Sequence, residues 1–227
     1  MLKRFGSSLF VVEGPTVSFY GMPYPTRMAV VQLTDGSCWI WSPVALSTEL
    51  ASAIDALGPV RQIVSPNKLH HLFLREWTER WPEARVYAPP GLARRKPDLR
   101  FDAELRDEPE EAWAAEIDQV VFRGSFAMEE VVFFHRPSRT AIVCDLIQRH
   151  STGKIGGWKK WLMKADGLVG DNGSTPREWR ASFTRRAPAR EARAKVLGWN
   201  AERLLIAHGG CVQAGAHDVI ERALRWI

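Results

Sequence analysis

Short runs of β-branched and aromatic residues recur along this chain, and helical patterns separate the later ones. Four such runs fall within the first 45 residues, and Asp35–Gly36 lies between the last two, a dipeptide typical of β-hairpins. Residues 45–58 then read as a helix with Ser47 as its predicted N-cap. A strand–helix–strand series over residues 60–88 follows, which favours a mixed fold over a pure β-sandwich.

Composition narrows the class of protein. The 227 residues are 45% hydrophobic and 25% charged, the balance of a soluble globular chain that needs no cross-links to hold its core. No apolar run approaches the ~20 residues of a membrane span, and the N-terminus lacks the features of a signal peptide. The cysteines at 38, 144 and 211 form no CxxC spacing, so we expect neither a disulfide framework nor a structural zinc cluster, and a cytoplasmic location.

Residues 148–195 differ from the rest in composition, with glycines, tryptophans and basic side chains but no clear strand. We interpret them as a helical insertion, or lid, within a single domain that spans 1–227. Trp158 and Trp161 would share one helix face, either as a packed pair or as part of an anion-binding wall. The net charge is +5, but no RNA-binding signature is present, which favours a small-molecule substrate or ligand, with an anionic one as an option, over nucleic acid.

Three apolar strands are followed by side chains that bind metals. The first leads to His70–His71, the second ends at Asp145, and the third ends at His208. Taken singly, these are typical of a solvated pair, a turn or cap residue, and a turn histidine. Because strands of one sheet share an edge, the set together predicts a site for one divalent ion, zinc above iron or manganese, or else no cofactor at all.

Two local details follow from geometry. Adjacent helical residues point about 100° apart, so His70 and His71 could bind one ion only from a turn or the first helical residues. Ser65, with Pro66 after it, or alternatively Asn67, is the predicted cap there. Since side chains alternate along a strand, Cys144 is expected to face away from Asp145, into the core.

The order of elements and ligands resembles the metallo-β-lactamase superfamily over nearly the whole chain. The resemblance rests on "SPNKLHHLFLREW" at 65–77, "FHRPSRTAIVCDLI" at 134–147 and the His208–Gly209 turn. It implies an α+β fold, the four-layer αββα metallo-β-lactamase-like sandwich, in a bacterial branch with a degenerate HxHxDH motif.

The family's motif is only partly present. Aligned on its last histidine, HxHxDH falls on Pro66, Lys68, His70 and His71, and the later GH motif falls on Gly124–Ser125. All three histidines of the family's first metal site are therefore replaced. The resemblance leaves four ligands for a single ion in the second site, and these are His70, His71, Asp145 and His208.

The resemblance implies a mononuclear metal-dependent hydrolase acting on an ester, lactone, thioester or phosphoester. His70 would replace the family's aspartate as base or proton shuttle, with Asp145 as its catalytic partner. Lys68 is hypothesised to supply part of the missing first ion's charge, and Lys68, Ser125 and Trp158 are the candidate substrate contacts. Because catalytic zinc keeps an open position, four protein ligands would instead favour the alternative, a degenerate member that binds a metal or ligand without turnover.

Overall fold

The computed structural model describes residues 1–19, 22–150 and 173–227. The chain divides into two compact units, Met1–Glu116 and Ile117–Ile227, called here the first and second units. The prediction of one domain over 1–227 stays a prediction. No helix in the described part of the chain is long and apolar enough to cross a membrane.

The first unit is built on a seven-stranded sheet whose strands pair in chain order. Of the six pairings between neighbouring strands, the first three are antiparallel and the last three are parallel. The strands are β1 (Lys3–Gly6), β2 (Leu9–Phe19), β3 (Met22–Gln32), β4 (Cys38–Trp41), β5 (Val60–Val64), β6 (Arg85–Ala88) and β7 (Ala103–Glu104), and the helices are α1 (Thr48–Asp55), α2 (Leu74–Arg80) and α3 (Leu92–Arg95).

Local sequence signals account for much of this unit. Ser47 is the N-cap of α1 and accepts a hydrogen bond from the Leu50 N–H, as predicted. Gly36, in the predicted β3–β4 hairpin, takes the positive φ of +82° that glycine tolerates best. The core forms where one face of the sheet meets α1 and α2, and it contains Ile40, Ile63 and Trp77.

The second unit has a four-stranded sheet and three described helices. The elements are β8 (Ile117–Phe122), β9 (Glu130–His135), β10 (Thr140–Val143), β11 (Arg203–Ile206), α4 (Arg177–Ser182), α5 (Arg186–Gly198) and α6 (Ala216–Ala223). The strands lie in the order β11-β10-β9-β8, with β10 and β11 parallel and β9 antiparallel to both of its neighbours.

This second unit buries its own apolar cluster. Side chains of the sheet, such as Val132 and Leu204, pack with Trp179 of α4, Ala192 of α5 and Ile220 of α6. The described residues thus contain two sheets and six helices, which confirms the predicted α+β class. Of the predicted insertion at 148–195, the part from 173 onward is helical in α4 and α5, and residues 151–172 lie outside the described residues.

Candidate metal centre

The parallel pair β10 and β11 sets the position of the candidate site. Their register pairs Val143 with Ile206, so the residues that follow each strand emerge side by side at one edge of the sheet. His208 Nε2 lies 3.2 Å from Asp145 Oδ1, and both side chains are at least nine-tenths buried. The structure therefore brings together the two second-unit residues that the sequence predicted as ligands.

Cys144 joins this pair, contrary to the sequence-based expectation. The ligand atoms of Cys144, Asp145 and His208 all lie within 4.8 Å of one another. The expectation that Cys144 faces away from Asp145 was wrong because β10 ends at Val143, and side chains alternate only within a strand. The thiol is fully buried, as expected, but at the edge of the site.

The donor set fits a divalent ion. Two ligand atoms on one tetrahedral zinc ion lie about 3.3–3.8 Å apart, given bond lengths of about 2.0–2.3 Å. The ligand atoms of Cys144, Asp145 and His208 lie within 4.8 Å of one another, so small side-chain rotations would bring them to the spacing of zinc ligands. Thiolate, imidazole and carboxylate together suit zinc better than the oxygen-binding ions calcium and magnesium.

The turn that carries His208 is joined to the backbone at Arg149. The Arg149 N–H donates to the His208 carbonyl at 3.3 Å, and the Gly210 N–H donates to the Arg149 carbonyl at 2.6 Å. Gly209 between them has φ +107°, and a Cβ there would lie 2.0 Å from the Arg149 carbonyl oxygen. Only glycine fits this close approach, which explains the Gly after His208.

A chain of two polar side chains continues from Asp145 through Gln148 to His150. The Gln148 side-chain amide donates to Asp145 Oδ1 at 3.4 Å, and the Gln148 Oε1 lies 3.2 Å from His150 Nε2. Burial, with a smaller contribution from the charge of His208, lowers the pKa of His150 from its usual 6.5 to about 4. His150 is therefore neutral at pH 7, where it can donate one hydrogen bond to Gln148.

In the first unit, His70 and His71 lie in a turn, not in a helix. Helix α2 begins only at Leu74, well after the start that a cap at Ser65 or Asn67 predicts, and its N-cap Phe73 makes no capping hydrogen bond. The Asn67 Oδ1 instead accepts from the N–H groups of Leu69 and His70 at 2.9 and 3.3 Å. The side chain considered as a helix cap thus stabilises the histidine turn.

Ser65 and Ser42 complete the support of this turn. The Ser65 hydroxyl is within hydrogen-bond distance of the Asn67 and His70 carbonyls, at 3.0 and 2.9 Å, so Ser65 is not the cap of α2 either. Ser42 Oγ lies 2.7 Å from His70 Nδ1 and so fixes the orientation of that ring. Ser42 has φ +53°, a backbone conformation that is uncommon for a residue with a Cβ.

The second histidine of the turn has a perturbed pKa. Burial, followed by the positive charge of Lys96, lowers the pKa of His71 below its usual value of 6.5. Its Nδ1 is buried and has no hydrogen-bond partner among the described residues. His71 is thus a neutral imidazole near pH 7, the form that binds metals.

The candidate substrate contacts have ordinary structural surroundings. The Lys68 ammonium lies beside Gly91, where an added Cβ would be 3.5 Å from Nζ. Ser125 Oγ accepts from the Ala127 and Met128 N–H groups, both at 3.1 Å, and lies 2.6 Å from Ser182 Oγ. Trp158 falls outside the described residues. The assignments of Lys68, Ser125 and Trp158 to substrate binding stay predictions.

Comparison with known proteins places the chain in a family and a fold. The family described as "Domain of unknown function (DUF4336)" matches residues 16–154, more than half of the chain. No curated protein matches the sequence.

Solved structures are similar over the whole chain. A metallo-β-lactamase from Pontibacter korlensis has a TM-score of 0.66 at 13% identity, covering 100% of this chain and 97% of that one. The metallo-β-lactamase FIM-1 from Pseudomonas aeruginosa in the mono-zinc form has a TM-score of 0.65 at 10% identity, covering 100% and 93%.

A third similar structure is the metal-soaked Flv1 flavodiiron core from Synechocystis sp. PCC6803. It has a TM-score of 0.66 at 10% identity and covers 100% of this chain and 60% of that one. Identities this low show the fold alone. The predicted metallo-β-lactamase-like fold is thus confirmed.

Proposed function

Since the chain belongs to the family described as "Domain of unknown function (DUF4336)" and has the metallo-β-lactamase fold, we propose that it is a metal-dependent hydrolase that holds a single metal ion. The observation that carries the proposal is the convergence of Cys144, Asp145 and His208 at the end of two parallel strands, with their ligand atoms within 4.8 Å. The mono-zinc form of FIM-1 shows that a protein of this fold can hold one zinc ion.

The donor set favours zinc. Catalytic zinc sites keep a position open for water or substrate beyond three protein ligands, so the number of ligands that bind the ion decides between turnover and binding alone. A divalent ion here would supply Lewis-acid polarisation of a carbonyl or phosphoryl oxygen and activation of water near neutral pH.

A neighbouring side chain orients one of these groups. Gln148 donates a hydrogen bond to Asp145 Oδ1, which restrains the direction of the carboxylate. The substrate class stays an ester, lactone, thioester or phosphoester, and a small-molecule partner is proposed with it.

The first test is zinc binding by the full chain. Protein purified without added metal is expected to contain about one zinc per chain, measured by elemental analysis. His208→Ala should weaken zinc binding about 100-fold, since four-ligand sites bind with about 10–16 kcal/mol, or roughly 3 kcal/mol per ligand. His217→Ala is the matched control, because His217 lies on α6 and does not belong to the candidate metal group found among the described residues. Affinity is measured by competition with a chromophoric chelator, and no difference between the two variants would remove the site.

The second test is turnover. A panel of esters, lactones, thioesters and phosphodiesters should reveal hydrolysis that is retained in His217→Ala and lost in His208→Ala. Zinc bound without turnover of any substrate class would support the alternative, a member that binds metal or ligand without catalysis.

The sequence-based prediction that His70 and His71 also bind the ion, and that His70 moves a proton, is tested with the same assay. If either is a ligand, its alanine variant will weaken zinc binding as His208→Ala does. If His70 acts only as a base, His70→Ala will lower kcat and leave zinc affinity unchanged.

A further inference from the structure

A buried carboxylate lies beneath the turn that carries two of the proposed ligands. Glu130 is the first residue of β9, and its side chain is fully buried. One oxygen accepts a hydrogen bond from the Cys144 N–H at 2.8 Å. The other accepts from the Asp145 N–H at 2.8 Å and from the Leu146 N–H at 3.1 Å. Three consecutive backbone N–H groups therefore converge on one side chain.

The position follows from the sheet. The β9–β10 register pairs Phe133 with Ile142, and continuing it by three residues places Glu130 opposite Asp145. The ladder of backbone hydrogen bonds ends before that point, because β10 ends at Val143. The Glu130 carboxylate therefore accepts the hydrogen bonds that backbone carbonyl groups of a partner strand would otherwise accept.

The arrangement is energetically demanding. A buried charge costs several kcal/mol unless hydrogen bonds compensate for lost hydration. Three successive N–H groups form a concave anion-binding site, and they do so only when the backbone bends. The carboxylate and the bent turn at 144–146 thus stabilise each other, and the bend is what brings the Cys144 thiol to the same side as Asp145.

We propose that Glu130 is the positioning residue of the metal centre, and that its carboxylate holds the 144–146 turn in the shape that presents Cys144 and Asp145 to one ion. This inference rests on the proposed function, because it assigns Glu130 a role at that same site. Glu130 touches neither metal nor substrate in this account and acts through the backbone of the turn.

The test uses Glu130→Gln in the full chain. Glutamine keeps the shape of the side chain but turns one acceptor into an N–H donor, which faces a backbone N–H and breaks at least one hydrogen bond. Loss of a supporting residue around a metal site typically lowers metal affinity 10–100-fold, so zinc affinity should fall about 10-fold or more. Amide hydrogen exchange at residues 144–146 in metal-free protein should accelerate in the same variant.

Two matched controls separate positioning from charge and from general stability. Glu129→Gln makes the same change one residue earlier, where no hydrogen bond to the turn is present among the described contacts, and should leave zinc affinity within about twofold. Glu116→Gln alters a second buried carboxylate, one that accepts from Thr34 N–H and Oγ1 at 2.8 Å, and it should lower stability without changing zinc affinity.

The outcomes are distinct. Unchanged zinc affinity in folded Glu130→Gln would overturn the positioning role, as would equal losses in Glu116→Gln. If the wild type binds no zinc, the proposed function fails, and exchange at 144–146 still decides whether Glu130 holds the turn. If Glu130→Gln does not fold, the wild-type protein and Glu130→Asp, whose shorter side chain keeps the charge, replace it. Fast exchange of these three amides in the wild-type protein overturns the proposal. Slow exchange in the wild-type protein, together with weakened zinc binding in Glu130→Asp, supports it.

Discussion

The two regions that carry the predicted ligands are held in place by different means. In the first unit, the His70–His71 turn depends on polar side chains, with Asn67 and Ser65 bonding to its backbone and Ser42 bonding to an imidazole. In the second unit, the predicted ligands Asp145 and His208 follow two paired strands.

In the second region, backbone N–H and carbonyl groups form more of the hydrogen bonds that hold the turns. The His208–Gly209 turn is bonded to the backbone at Arg149, and the Asp145 turn is bonded to a buried carboxylate. Loss of one side-chain hydrogen bond lowers the free energy of unfolding by about 0.5–1.5 kcal/mol. Where backbone segments are closely packed, by contrast, even a small added side chain forces neighbouring atoms to move. Single substitutions should therefore affect the second region more severely than the first, and the predictions below test that difference.

The largest effect is expected at Gly209. Gly209→Ala would place a Cβ 2.0 Å from the Arg149 carbonyl oxygen in a strained φ, so we expect a loss of about 3 kcal/mol or more in the free energy of unfolding. Gly215→Ala is the control, since Gly215 has φ +69° but no atom within 4 Å of an added Cβ, and it should cost about 1 kcal/mol. Urea unfolding measures both. Equal losses would show that strain, not the close approach, governs Gly209.

The next effect is the acid sensitivity of the two regions. The folded pKa of His150 is about 4, below its usual 6.5, so below pH 6.5 the unfolded chain binds more protons and stability falls as the pH falls toward 4. The shift corresponds to about 3 kcal/mol at full extent, and His150→Gln should flatten the fall of stability between pH 6.5 and 4 in chelator-treated protein.

The first unit provides the comparison for that measurement. Burial lowers the pKa of His71 as well, so His71→Gln should flatten the profile in the same direction. Urea unfolding across this pH range measures both variants. A profile that His150→Gln leaves as steep as the wild type would contradict burial as the cause of acid sensitivity in the second unit.

The smallest effect is expected at Ser42, in the first region. Ser42→Ala removes the 2.7 Å hydrogen bond to His70 and should lower stability by about 1 kcal/mol. Ser42→Gly removes the same bond but relieves the left-handed backbone, which costs roughly 1 kcal/mol for residues with a Cβ, so it should be more stable than the alanine variant. If the two variants unfold at the same urea concentration, the backbone at 42 is not strained.

Several features could be predicted because their causes are local. The Ser47 cap and the Asp35–Gly36 hairpin each depend on a few neighbouring residues, and both predictions are confirmed. Asp145 and His208 were predicted as ligands because each directly follows an apolar run that reads as a strand, and the structure brings their side chains within 3.2 Å of each other.

Other features depend on where a strand or helix stops. Cys144 was expected to face away from Asp145 because side chains alternate along a strand. That rule does not apply to Cys144, since β10 ends one residue before it, at Val143. The start of α2 at Leu74 was missed because Asn67 caps a separate turn. Glu130 gave one signal that could have been used, an acidic residue at the start of an otherwise apolar strand, although its partners lie 14 to 16 residues away along the chain.

The order of residues was enough to establish the α+β class and the metallo-β-lactamase-like fold and to single out Asp145 and His208 as candidate ligands, because hydrophobic periodicity and short motifs express local preferences of the backbone. The approach of Cys144 to these two residues, the carboxylate beneath its turn and the close approach at Gly209 became visible only in the folded chain. Each of them depends on distances between segments that are far apart in sequence, and those distances are set by strand register and packing, which no local pattern encodes.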